Sequence, residues 1–271
     1  MKPGLLEQTT NPMMLNKGLK LRLPADMPVE SVTINSGTYL VPSQGNEPRC
    51  ILPKPDWRQL TLEEYDRLVS VQDVPLQESV SVINVDEHVR TIFEDHIARQ
   101  LFGQHQLAPD QAKAVLEGFA QQAAQSLQIA GWSVRPVVCN ATINPPNLPS
   151  TAFDFEHGSL VGLHFDNRET NFHLIAFNLG TAHRYLNFVN LERKALVNWL
   201  GLKKAEVTSN LTQLRNLFFA RYPEYPVVRI RLNPLQAYAL NPQSVIHDGA
   251  TNESGVPDVN FLMLSLVDQP H

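Results

Sequence analysis

The residues with the clearest chemical potential lie in Leu163-His164-Phe165-Asp166-Asn167. In an extended strand, side chains two positions apart share a face. His164 and Asp166 would then project together, an imidazole beside a carboxylate, as two metal ligands. Ser244-Val245-Ile246-His247-Asp248-Gly249 offers a third ligand: an apolar strand end presenting His247, followed by a glycine turn. His247 comes 81 residues after Asp166, ample for a distant strand to return alongside the first. Two histidines and one carboxylate on one side of a metal leave the opposite side open. That arrangement suits Fe(II), because O₂ and a chelating co-substrate can take the vacant positions. A structural zinc site closes all four positions, often with cysteine, and Cys50 and Cys139 form no close pair. His157 and His173 are rival ligands. His157 stands between Glu156 and Gly158, a turn context, and His173 reads as a strand or loop histidine. Asp248 has two readings that stay open, as a group orienting the imidazole of His247 or as the start of the glycine turn.

These side chains need strands to present them. From Trp132 onward the chain is rich in β-branched residues, with strands expected over 134–143, 159–165, 171–179, 185–190, 227–232, 236–240 and 259–266. Helices are expected over 192–200 and about 204–221. Before Trp132 the texture is helical and extended. Thr33 to Val41 reads as a strand broken by a turn at Ser36-Gly37. Thr61-Leu62-Glu63-Glu64 is a capping-box pattern, opening a short helix to about Val69. Apolar residues recur at helical spacing over 86–101 and 109–128, with Pro109 suited to a first turn. Those apolar faces read as core or as contacts between copies of the chain, and His96 as a core histidine. No linker separates the halves, so the expectation is one domain over 1–271. Residues 1–131 would decorate a catalytic core at 132–271.

The 271 residues carry 22 Lys and Arg against 27 Asp and Glu, a net charge of −5. That balance argues against a nucleic-acid surface, which needs a basic stripe, and against a polybasic membrane anchor. No apolar run approaches the roughly 20 residues needed to span a bilayer. Met1-Lys2-Pro3-Gly4 is not followed by an apolar leader, so a cytoplasmic protein is expected. With 43% apolar residues the chain can bury a core.

His164-x-Asp166, the distant His247 and a closing strand at Val259 to Leu266, in that order, resemble the Fe(II)/2-oxoglutarate-dependent dioxygenases. The run from Tyr225 to Leu240, two strand-like stretches around Asn233-Pro234, adds to the resemblance, which covers about residues 132–271. It implies an α+β fold, with a double-stranded β-helix, a cupin-like jelly roll, flanked by helices. It also implies oxidative decarboxylation of 2-oxoglutarate to succinate and CO₂, coupled to hydrogen abstraction from a small polar substrate. An amino acid or a natural-product intermediate would fit. Related halogenases lack the carboxylate, so Asp166 favours hydroxylation or desaturation. Many members carry an arginine for 2-oxoglutarate shortly after the distal histidine. Here no Arg or Lys follows Asp248. Other branches place that cation on a strand after the HxD, which makes Arg184 the leading candidate, with Arg231 and Arg229 as alternatives. Arg135, Asn140 and Thr142, on the first expected barrel strand, stand where this family often contacts substrate. The competing readings are a cupin-like metalloprotein with 2-oxoglutarate-independent chemistry, and a metal-free jelly-roll binding module.

Overall fold

Alternation of apolar and polar side chains decides which surface each strand buries. In Val228-Arg229-Ile230-Arg231-Leu232, the three aliphatic residues enter the core and the two arginines turn away from it. The computed structural model describes residues 18–41, 50–70, 74, 78–98, 107–127, 133–144, 153–154, 159–160, 172–202, 211–251 and 258–268. Its strands are Lys20–Arg22 (β1), Val32–Ile34 (β2), Thr38–Val41 (β3), Cys50–Pro53 (β4), Arg58–Gln59 (β5), Ser79–Asn84 (β6) and Ser133–Asn144 (β7). Phe153–Asp154 (β8), Ser159–Leu160 (β9), His173–Asn178 (β10), Arg184–Glu192 (β11), Val228–Leu232 (β12), Gln236–Leu240 (β13), Val245–Ala250 (β14) and Asp258–Asp268 (β15) follow. The helices are Leu62–Leu68 (α1), Glu87–Ile92 (α2), Pro109–Ser126 (α3), Arg193–Leu200 (α4) and Leu211–Arg221 (α5), and α2 runs on into π-helical turns over Phe93–Ala98. The fold is therefore mixed α+β with two large sheets.

One sheet runs in the order β1-β6-β13-β10-β15-β7 and the other β14-β11-β12-β2-β5. Their inner faces pack together through Val80, Val82, Tyr238, Leu240 and Ala176 on the first sheet. Val32, Ile34, Leu186, Phe188, Val228, Ile230, Leu232 and Val245 meet them from the second. Four helices cover the outer faces, while α1 sends Leu68 into the core between the sheets. α2 and α3 pack on the first sheet, where Phe261 meets Phe119 edge-on at 4.7 Å. α4 and α5 pack on the second, over Val189, Leu191, Val227 and Ile246.

The N-terminal half supplies strands to both sheets as well as helices. β1 and β6 extend the first sheet, and β2 and β5 extend the second. β6 had no counterpart in the sequence reading. Ser79 to Val82 are all buried, and the alternation Ser79-Val80-Ser81-Val82 that sends both valines into the core was not used as a strand signal. The capping box forms as expected. The Glu64 N–H donates to Thr61 Oγ1 at 3.2 Å, and the Thr61 N–H donates to Glu64 Oε2 at 2.8 Å. Gly37 takes the positive φ of the turn between β2 and β3.

Candidate functional site

β14 places His247 on the inner face, register-paired with the core residue Phe188. The alternation is anchored on both sides, since Val245 lies in the inter-sheet core and Ile246 packs under the helices. His247 is 4% exposed, and its Nδ1 lies 3.0 Å from the Val245 carbonyl oxygen. A carbonyl only accepts, so Nδ1 carries the proton and Nε2 becomes the nitrogen a metal would take.

Asp248 necessarily points to the other face. There it is fully buried, opposite Asn187, whose Oδ1 accepts from Arg229 Nε at 2.8 Å. The backbone carbonyl of Val245 holds the imidazole at Nδ1. No turn begins at Asp248, because β14 continues through Gly249 to Ala250.

Arg184 opens β11 on the same inner face as His247, and it is 9% exposed. Its Nη1 pairs with Asp258 Oδ1 at the start of β15. That is its one hydrogen bond among the described residues. Its Nη2 lies beside Gly249, 3.4 Å from where a Cβ would stand. A guanidinium has five N–H donors, and among the described residues this pairing uses one of its nitrogens.

Neighbouring polar groups face the same end of the sandwich. Tyr238, buried on β13, has its phenol pushed up to about 12 by burial, with the positive charge of Arg184 pulling the other way. Asn178 and Asn260 are register partners on β10 and β15. Asn178 Nδ2 donates to the Ala182 and Leu232 carbonyls at 2.9 and 3.3 Å, tying the two sheets together. Its Oδ1 and that of Asn260 are buried without partners among the described residues. Asp258, Tyr238, Asn178 and Asn260 were not singled out from the sequence, and Gly249 was read only as a turn. The one available signal was Gly249, two positions after the distal histidine.

The other two arginines named from the sequence lie elsewhere. Arg231 and Arg229 project from β12 onto the outer face of the sheet, because Ile230 and its neighbours point inward. Neither can share a surface with His247. Arg229 instead stacks on Trp57, 3.7 Å from the ring centroid, and faces Tyr185 at 5.1 Å; burial brings its guanidinium down to about 10. Arg135 and Asn140 are exposed on β7, register-paired with Leu266 and Leu262, and Thr142 pairs with Asn260. His173 lies on the helix-covered face of the first sheet, turned away from His247. His164, Asp166 and His157 lie outside the described residues. Among the described residues no three His, Cys, Asp or Glu groups gather as a metal site, and no helix is long and apolar enough to cross a membrane. The chain matches no protein-family model and no curated protein sequence.

Proposed function

We propose that this chain is a non-haem Fe(II)/2-oxoglutarate-dependent oxygenase acting by hydroxylation or desaturation on a small polar metabolite. The observation that carries the reading is Arg184. A buried guanidinium with one hydrogen bond among the described residues, facing the surface that bears His247, has further N–H donors that a carboxylate could take. The strand order adds support. From β10 to β15 the chain visits the first sheet, the second twice, the first, the second and the first again. A double-stranded β-helix alternates its strands in that way, so a jelly-roll core fits.

In this reading His164, Asp166 and His247 hold Fe(II), with His247 presenting Nε2. Arg184 takes the far carboxylate of 2-oxoglutarate, and Asp258 braces the guanidinium. Tyr238 and Phe188 wall the inner surface against bulk water. Bound Fe(II) would supply O₂ activation coupled to decarboxylation of the co-substrate. Arg135, Asn140 and Thr142 are proposed to meet the substrate from β7. A second reading, a 2-oxoglutarate-independent metalloprotein, draws on Asp258, which already places a carboxylate on Arg184.

The test is succinate release from 2-oxoglutarate with Fe(II) and candidate substrates, run beside His164→Ala, Asp166→Ala and His247→Ala. Equal turnover in these variants removes the assignment. Turnover that survives Arg184→Leu without 2-oxoglutarate selects the second reading.

A further inference from the structure

Gly249 has no structural reason to be a glycine. Two other glycines show what such a reason looks like. A Cβ at Gly18 would stand 1.7 Å from the Asn190 carbonyl oxygen, and Gly37 combines a φ of +125° with a contact of 2.2 Å to the Pro223 carbonyl oxygen. Gly249 has neither constraint. Its φ is not positive, and an added Cβ would meet one atom, Nη2 of Arg184 at 3.4 Å, the tip of a flexible side chain at ordinary van der Waals distance. A glycine inside a strand is less stable than alanine, because it loses more backbone freedom on folding. The fold alone would therefore favour a side chain here.

What the missing side chain leaves open is the wall between His247 and Arg184. Gly249 stands two residues beyond His247 on the same face, roughly 6.6 Å along the strand. Leu186, its register partner, is followed back along β11 by Arg184, whose guanidinium reaches across to Gly249. Nη1 is committed to Asp258. The volume a Cβ would fill at Gly249 lies 3.4 Å from Nη2, beside the end of the fork that Asp258 does not hold.

We infer that Gly249 is a specificity-determining residue, admitting the distal carboxylate of a five-carbon 2-oxo dicarboxylate to Arg184. This rests on the oxygenase reading above. A methyl at position 249 would block the approach to Nη2 and leave the His247 end untouched. Shorter 2-oxo acids, which do not reach Arg184, would be indifferent to it.

The test is anaerobic calorimetric titration of the Fe(II)-loaded protein with 2-oxoglutarate and with pyruvate, for the wild type, Gly249→Ala and Gly249→Val. Thermal melts and Fe(II) affinity are recorded for each. The expected result is a loss of 2-oxoglutarate affinity of at least about tenfold in Gly249→Ala, larger in Gly249→Val. Pyruvate and Fe(II) binding stay unchanged, and the Gly249→Ala melting temperature is equal to or above that of the wild type. Wild-type affinity for 2-oxoglutarate in Gly249→Ala overturns the inference and leaves the oxygenase reading standing. A fall in Gly249→Ala melting temperature also overturns it, since the glycine would then serve the fold. A wild type that binds Fe(II) but not 2-oxoglutarate overturns both.

Discussion

His173 makes the stability of this fold depend on pH below the ordinary histidine range. It opens β10 on the helix-covered face of the first sheet and is 2% exposed. Neither ring nitrogen has a partner among the described residues, and the same holds for the Oγ of Ser265, directly opposite on β15. Burial alone lowers its pKa from 6.5 to about 4. Above pH 6.5 the ring is neutral whether folded or unfolded, and nothing is lost. Below 6.5 the unfolded chain binds a proton that the folded state refuses until about pH 4. Stability therefore falls as pH falls across that window. The size follows from linkage: each pKa unit is worth about 1.4 kcal/mol, so the loss is about 2 kcal/mol at pH 5 and approaches ~3 kcal/mol near pH 4. The assay is urea unfolding at fixed pH values between 7.5 and 4, for the wild type and His173→Leu. The difference in unfolding free energy between the two should change across this range by about the stated amount, in favour of the variant at low pH. Parallel pH profiles would refute the argument, and with it the placement of an uncharged imidazole on the helix-covered face of the first sheet.

Glu64 acts in a lower window. Hydrogen bonds from Arg58 hold its carboxylate down at about 2, against 4.5 when unfolded. Its stabilisation is complete above pH 4.5 and fades as pH falls towards 2, and Arg58→Ala should weaken that dependence in acid-titrated melts. Thr61→Ala removes the cap and should cost about 1 kcal/mol in urea unfolding, with no effect on ligand binding. Asp258→Asn leaves the Arg184 guanidinium buried without its counter-charge. A loss of about 3 kcal/mol is expected, and the combined Arg184→Leu, Asp258→Leu variant should recover part of it in a double-mutant cycle. Asp248→Asn should lower thermal stability by removing a buried charge close to Arg229, yet leave Fe(II) affinity unchanged, because its side chain faces away from the His247 ring. A matching fall in metal affinity would contradict that placement.

Local chemistry was legible from the chain alone wherever neighbours in sequence are neighbours in space. The Thr61–Glu64 capping box, the helix at Pro109–Ser126 and the strand that presents His247 depend on side chains three or four apart, or on a period of two. β6 was missed although Ser79-Val80-Ser81-Val82 alternates, because the run is short and its polar positions are serines, which suit a loop as readily as a strand. The choice among Arg184, Arg229 and Arg231 was not legible either. A strand states that alternate residues share a face, but its partners across the sheet decide which face is inside. Arg184 meets Asp258 across 74 residues, and only the pairing of β10 with β15 and of β11 with β14 brings the starts of β11 and β15 together. Gly249 shows the same division. Its residue type was plain and its role as a turn looked natural, yet its meaning lies in what it stands beside, an arginine tip delivered from another strand.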